Sequence, residues 1–259
     1  LVKSSAASDV YKRQIFNERK LFEECIESPQ RQGLIHSFFA ERANTKIPEL
    51  KEGKPIELNK IGIIGGGTMG TGISMAAMNA GFNVIMIEQN DEAIQKAKAK
   101  IISTYDRSVK LNRITTEQKN KTMDMFSATT NFSDLKDRDL IIEAVFENMD
   151  VKKEVLVKLN QICSQDCILA SNTSYLNVNE IASVVDNPSR VIGLHFFSPA
   201  NIMKLLEVVV AEKTSKDTVS TAFNLAKKMR KVPVRSGVCD GFIGNRILSK
   251  YLVGTYHMV

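Results

Sequence analysis

From Lys60 onward the chain alternates short apolar runs with longer stretches in which apolar positions recur at helical spacing. The runs KIGIIG (60–65), NVIMI (83–87), DLIIEAV (139–145), CILAS (167–171), RVIGLHFF (190–197), LLEVVVA (205–211) and KVPVR (231–235) have strand length and little internal alternation. Strands of that kind are buried on both faces, as in a parallel sheet covered by helices. One helical stretch runs from the glycine-rich turn after Ile64 to about Ala80, and a longer one from about Asp91 to Leu111. The alternation predicts an α/β fold with a doubly wound, largely parallel sheet. A last helix begins near Gly244. With Ile243 just before it, its residues Ile247, Leu248, Tyr251 and Leu252 form an apolar stripe that needs a partner to bury it.

The first 58 residues have a different texture. Residues 1–14, LVKSSAASDVYKRQ, lack apolar periodicity and resemble translated sequencing-adaptor sequence, so they are set aside as a non-native segment expected to be disordered. Residues 15–58 are charged. Their stretch from Ser28 to Glu49 reads as one helix followed by a linker, with Ile35, Phe38 and Phe39 at helical spacing and with Pro48, Gly53 and Pro55 breaking any continuation. The expected organisation is a non-native 1–14, a helix and linker over 15–58, a sheet domain over 59–240, and the first helix of a truncated all-α domain over 241–259.

Composition narrows this only a little. Hydrophobic residues at 43% and charged residues at 25% of 259 are ordinary for a globular chain. No apolar run is long enough to span a membrane as a helix. The formal charge of +6 is spread along the chain, and Lys96, Lys98, Lys100, Arg107 and Lys110 read as the solvated face of a helix. Without a dense basic–aromatic mixture this argues against nucleic acid as a partner. Cys25, Cys163, Cys167 and Cys239 have no metal-ligand spacing and read as reduced, buried thiols of an intracellular protein, with no metal site.

Gly65-Gly66-Gly67-Thr68-Met69-Gly70 fits G-x-G-x-x-G, follows an apolar run and opens a helix, the context that makes the motif a Rossmann-type dinucleotide site. Gly65 permits the tight turn, Gly67 lets a pyrophosphate approach the backbone, and Gly70 lets helix and sheet pack closely. The free N–H groups around Thr68 and Met69 face the phosphates. Glu88 ends the second run, 23 positions after Gly65. A carboxylate there accepts the hydroxyls of an adenosine ribose and repels a 2′-phosphate, so the expected cofactor is NAD rather than NADP.

His195 closes the run RVIGL, at what should be the carboxyl end of a strand, where ligands of open α/β sheets bind. Glu207 interrupts LLEVVV, an otherwise apolar run in which an unpaired carboxylate would be costly. The two lie 12 positions apart, a spacing suited to a turn and an adjacent strand, and a His–Glu pair explains both. The carboxylate would fix the imidazole tautomer and balance its protonated form, as a general base requires.

SNTSYL (171–176), VIGLHFFSPANIMKLLEVV (191–209), CDGFIGNRIL (239–248) and LIIEAVFENMDVKKEV (140–155) together resemble the 3-hydroxyacyl-CoA dehydrogenase family, over about residues 15–259. HFFSPA is most similar to the multifunctional β-oxidation enzymes, and 28–49 resembles the linker after their enoyl-CoA hydratase domain. The resemblance implies NAD-dependent oxidation of (S)-3-hydroxyacyl-CoA to 3-oxoacyl-CoA. It implies His195 as base with Glu207 as its partner, and Ser174 and Asn245 holding the substrate. Glu147, Lys152, Ser174 and Ser198 would lie by the nicotinamide half of the cofactor. It also implies an acyl-CoA substrate, hydratase and helical domains in a longer parent chain, an oligomeric full-length protein, and a cytoplasmic location in a bacterium or a peroxisomal one in a eukaryote. Glu88 stands where the family more often has Asp, and Tyr175 where it often has a smaller residue. A related 3-hydroxyacid dehydrogenase that does not use coenzyme A, and a non-catalytic cofactor-binding protein on the same fold, remain alternatives.

Overall fold

Ser28 separates the first two helices, α1 (Val2–Glu27) and α2 (Pro29–Ala43). Its hydroxyl accepts the Arg31 N–H, and Pro29 brings a preset φ to the first helical position. In the computed structural model, which describes residues 2–256, these helices form one compact unit and the chain from Ile47 onward another. The disorder expected for residues 1–14 is not found over its described part, which is helical; its Ala, Lys and Arg residues are good helix formers. No residue from 9 to 46 is buried.

The second unit begins with α3 (Pro48–Glu52), so Pro48 starts a helix rather than only ending one. There follow β1 (Lys60–Ile64), α4 (Thr68–Asn79), β2 (Asn83–Ile87), α5 (Asp91–Lys110), α6 (Thr116–Met123) and β3 (Phe126–Thr129). Next come β4 (Leu140–Glu143), α7 (Met149–Ile162), β5 (Ile168–Ser171), α8 (Val178–Ala182) and β6 (Val191–Phe196). The last elements are β7 (Leu205–Val210), α9 (Lys216–Lys228), β8 (Val232–Gly237) and α10 (Gly244–Tyr256). The eight strands form one sheet in the order β3-β2-β1-β4-β5-β6-β7-β8, parallel throughout except for the β6/β7 pair. This is the expected Rossmann-like sheet with an antiparallel turn-back near one edge.

Burial on both faces explains the unbroken apolar runs. Ile61 and Ile63 of β1 join a core with Ile73 and Met78 of α4 and Phe223 of α9. Ile64 turns to the other face, against Leu156 and Leu159 of α7 and Ile181 of α8. The segment before β1 belongs to this unit: Lys54 N–H donates to Asp217, Ile56 N–H to Thr221, and Leu58 is buried. The boundary between units therefore falls at Lys46/Ile47 rather than at residue 58. At the far end α10 buries nothing, and Ile247, Leu248, Tyr251 and Leu252 are exposed; residues 257–259 lie outside the described part. Cys163 and Cys167 are buried as expected, whereas Cys25 and Cys239 are exposed. No helix among the described residues is long and apolar enough to cross a membrane.

Strand order reverses between β1 and β4, and the loops leaving the carboxyl ends of β1, β4, β5 and β6 gather along that edge. Such a switch point opens a crevice in the sheet's edge.

Candidate active site

The glycine loop leaves β1 with Gly65 at φ +94°, a left-handed conformation, and a Cβ there would meet Ala144 O at 2.8 Å. A Cβ on Gly70 would lie 1.7 Å from Gly65 O, so only glycine lets α4 start this close to β1. Around Gly67 the situation is the opposite: nothing lies within 4 Å of its would-be Cβ. The space is open, and it sits at the amino end of α4, where the first N–H groups have no helical acceptor. This cradle fits a pyrophosphate. Thr68 is exposed there, and Lys100 of α5 brings its Nζ to 3.4 Å from Thr68 Oγ1. Lys100 was read in the sequence only as part of a solvated face.

Glu88, just past β2, accepts the Gly66 N–H on Oε1 and the Gln89 N–H, at 3.0 Å, on Oε2. Gly66, formally a free position of the motif, is constrained too, because its Cβ would meet Glu88 Oε1 at 2.9 Å and Ala97 Cβ at 2.8 Å. Glu88 thus borders the loop, as an adenosine-ribose acceptor must.

The loop after β4 is organised by buried charges. Lys152, in the first turn of α7, has no exposed surface, and its Nζ donates to both oxygens of the fully buried Glu143, at 3.0 and 2.9 Å. Ser171 Oγ also donates to Glu143, and Val145 N–H does so at 3.2 Å. Burial pushes the Glu143 carboxyl up, against the Lys152 charge and the Ser171 hydrogen bond. Glu147 Oε2 lies 3.4 Å from the same Nζ. Its Oε1 accepts from Thr173 Oγ1 at 2.6 Å and from the Ser174 and Tyr175 N–H groups at 2.7 and 3.1 Å. Burial raises the Glu147 carboxyl, but the Thr173 and backbone hydrogen bonds, with the Lys152 charge, outweigh it and hold it below the usual range. Of the four residues expected at the nicotinamide, Glu147 lies exposed at the loop, whereas Lys152, which has no exposed surface, meets that loop through Glu147.

His195 and Glu207 face each other directly across the antiparallel β6/β7 pair. Residues so placed point to the same face of a sheet. His195 Nδ1 and Glu207 Oε2 are 2.6 Å apart, with His195 4% and Glu207 0% exposed. The other carboxylate oxygen accepts the Ile243 and Gly244 N–H groups, at 3.0 and 2.6 Å, at the start of α10. Phe197 and Phe242 flank the imidazole, with ring centroids 4.4 and 5.7 Å away. A Cβ on Gly244 would meet Phe197 Cζ at 2.8 Å, which explains glycine at that helix start. Asn245 follows, its Nδ2 3.4 Å from the Ser174 carbonyl oxygen, so the structure brings Ser174 and Asn245 together. Asn172 Oδ1 accepts the Phe196 N–H at 2.9 Å and ties the end of β6 to the Ser174 loop. Ser198 is exposed two residues beyond Phe196.

Sequence reasoning missed Glu143, Gly66 and Asn172 here. Glu143 carried a readable signal, a carboxylate in the apolar run LIIEAV, while nothing in the sequence marked Gly66 or Asn172 as more than loop residues.

Residues 60–239 match the family described as 3-hydroxyacyl-CoA dehydrogenase, NAD binding domain. The chain is 37% identical over 247 residues to the peroxisomal fatty acid beta-oxidation multifunctional protein of Oryza sativa subsp. japonica, covering 95% of this chain and 34% of that one. It is 39% identical over 252 residues to the peroxisomal bifunctional enzyme of Danio rerio, again covering 95% and 34%. The chain thus spans about a third of the curated relatives it matches. Its fold resembles the crystal structure of (S)-3-hydroxybutyryl-CoA dehydrogenase from Ralstonia eutropha, with TM-score 0.73, 36% identity, and coverage of 74% of this chain and 68% of that one. A glycine cradle at the switch point, a carboxylate beside it and a sequence match across the whole sheet point the same way: the chain belongs to the 3-hydroxyacyl-CoA dehydrogenase family and carries its NAD-binding domain.

Proposed function

We propose that this chain is the cofactor-binding part of an enzyme that oxidises (S)-3-hydroxyacyl-CoA to 3-oxoacyl-CoA in fatty-acid β-oxidation. The observation that carries the reading is the buried His195–Glu207 contact of 2.6 Å at the strand edge that also holds the glycine cradle. A carboxylate on Nδ1 keeps the proton there and leaves Nε2 as the basic atom. Nε2 takes the proton of the substrate's 3-hydroxyl, and the charge that forms on the ring is balanced by Glu207. NAD, when bound at the cradle, supplies the acceptor for the hydride leaving C3. Ser174 and Asn245 hold the substrate oxygen, Glu147 and Ser198 border the nicotinamide, and Glu88 takes the adenosine ribose. A correctly placed base accelerates such a step by about 10²–10⁴-fold.

The relatives' names, a peroxisomal multifunctional protein and a peroxisomal bifunctional enzyme, favour a parent chain with further domains in the peroxisome of a eukaryote. The resemblance of the sequence motifs adds a hydratase domain before this one, a helical domain after it, and the cytoplasm as the location in a bacterium. The exposed stripe of α10 suits docking against such a helical domain, and an oligomeric parent is part of the same proposal. The test is NADH oxidation with acetoacetyl-CoA and with free acetoacetate, by this chain and by a longer parent. Turnover of the thioester alone supports the proposal. Equal turnover of the free acid points to a dehydrogenase that ignores coenzyme A, and no turnover by the parent points to a cofactor-binding protein without chemistry.

A further inference from the structure

We propose that the buried Glu143–Lys152 pair is a positioning unit of the cofactor site: it fixes Glu147, and Glu147 in turn holds the 173–175 turn that presents Ser174. The proposal rests on the functional reading above only for what that turn does, not for how it is held.

Glu143 ends β4, Ser171 ends β5 and Lys152 lies in the first turn of α7, so the pair ties two strand ends to a helix start beneath the loop edge. Replacing a buried ion pair by well-packed apolar residues is often neutral for stability. Holding the fold is therefore a weak reason to place two charges here, both without exposed surface. What apolar residues lack is a third direction of interaction. After serving both Glu143 oxygens, the ammonium still lies 3.4 Å from Glu147 Oε2. That attraction orients the Glu147 carboxylate so that Oε1 meets three donors at once, from Thr173, Ser174 and Tyr175. The turn's other ties to the scaffold are the buried Thr173 and the Asn245 Nδ2 contact on the Ser174 carbonyl oxygen at 3.4 Å, while Thr173 Oγ1 accepts the Leu176 N–H at 2.9 Å within the turn; neither of the first two engages the Ser174 or Tyr175 N–H. The buried charges thus act on the exposed loop through one carboxylate at its base.

The decisive measurement is amide exchange of Ser174 and Tyr175, read beside NADH titration and thermal melting. In the double variant Glu143→Leu/Lys152→Met the fold should melt within a few degrees of wild type. Both amides should exchange at least about tenfold faster, and the NADH dissociation constant should rise about tenfold, the equivalent of about 1.4 kcal/mol. Glu143→Gln should do the opposite at the loop, because it leaves the Lys152 charge to Glu147 alone: protection is kept or increased. A double variant with wild-type exchange and wild-type NADH affinity overturns the proposal, as does a Glu143→Gln that loses protection. Should the double variant not fold, Glu143→Gln decides by itself, retained protection supporting the proposal and lost protection overturning it. If the wild-type chain binds no NADH, the functional reading of the site fails, and the exchange data still judge the positioning unit.

Discussion

Glu207→Gln separates the geometry of the His195 contact from its charge. In the wild type both carboxylate oxygens accept: Oε2 from the imidazole Nδ1–H, and Oε1 from the Ile243 and Gly244 N–H groups. An amide of the same shape has one acceptor and one donor, so one side must set a donor against a donor. The side with two backbone N–H groups, at 3.0 and 2.6 Å, has the stronger claim on the oxygen. The amide NH2 then faces Nδ1, which must accept, and the ring proton moves to Nε2, the atom that should take the substrate's proton. The base is lost without losing its position, and the rate should fall by about 10²–10⁴-fold. Bonds to a charged acceptor are worth about 1.5–3 kcal/mol, against about 1 for neutral ones, so the swap costs roughly 1–3 kcal/mol of stability. For a unit of this size that is a melting-point drop of roughly 2–12 °C. NADH affinity should not change, since neither residue touches the glycine cradle. The assay is steady-state acetoacetyl-CoA reduction, with nitrogen NMR of the imidazole to read the tautomer. A reversed tautomer with a rate constant within about tenfold of wild type would refute the assignment of His195 as base, because a general base contributes at least about a hundredfold.

The remaining expectations concern the cofactor cradle and the chain's start. Gly67→Ala should melt like wild type, since its Cβ meets nothing within 4 Å, yet bind NADH at least about tenfold more weakly because the methyl occupies the pyrophosphate's space. Gly70→Ala should lose stability as well as binding, by about 1–3 kcal/mol or more, since its Cβ would sit 1.7 Å from Gly65 O; an undiminished melting temperature would show that α4 does not approach β1 this closely. Calorimetry should find NADH bound at least about tenfold tighter than NADPH, because Glu88 opposes a 2′-phosphate, and equal binding would remove Glu88 from the ribose. A chain beginning at Ile15 should melt within experimental error of the whole, because residues 9–14 are all exposed; a drop of several degrees would show that this part of α1 packs.

What could be read from the sequence follows from how much burial each element enjoys. β2 was expected at 83–87 and lies there, and α5 ends one residue from its expected place, because both present long apolar signals to the core. β3 was not foreseen. Its FSAT is an edge strand with no fully buried residue, and its place is set by pairing with β2 rather than by its own pattern. The stretch 28–49, expected as one helix followed by a linker, is helical from Pro29 to Ala43, but Pro48 opens the short α3 where only a break was expected, because a five-residue helix is too short to show an apolar period. No residue of α1 from 9 onward turns into a core, so nothing but propensity announced it.

The site shows the same logic at the level of single charges. Glu207, a carboxylate inside an apolar run, poses the question of its partner, and a histidine lies directly across the sheet. Glu143 poses the same question in LIIEAV, and its partner Lys152 was read instead as a residue touching cofactor. The two cases differ in how their partners lie in the chain. A cross-strand partner in an antiparallel pair sits at a separation that a turn and two strands predict. The partner of Glu143 comes from the first turn of the following helix, where ENMDVK reads as an ordinary solvated helix start. Both carboxylates nevertheless do one thing: each accepts from a basic side chain, and each ties a strand to the start of a helix at the sheet's carboxyl edge. Glu207 does so by accepting the first N–H groups of α10, and Glu143 through Lys152 of α7. Buried charge in this fold is spent where a loop must be held in register with the sheet, and a carboxylate inside an apolar run is the mark it leaves in the sequence.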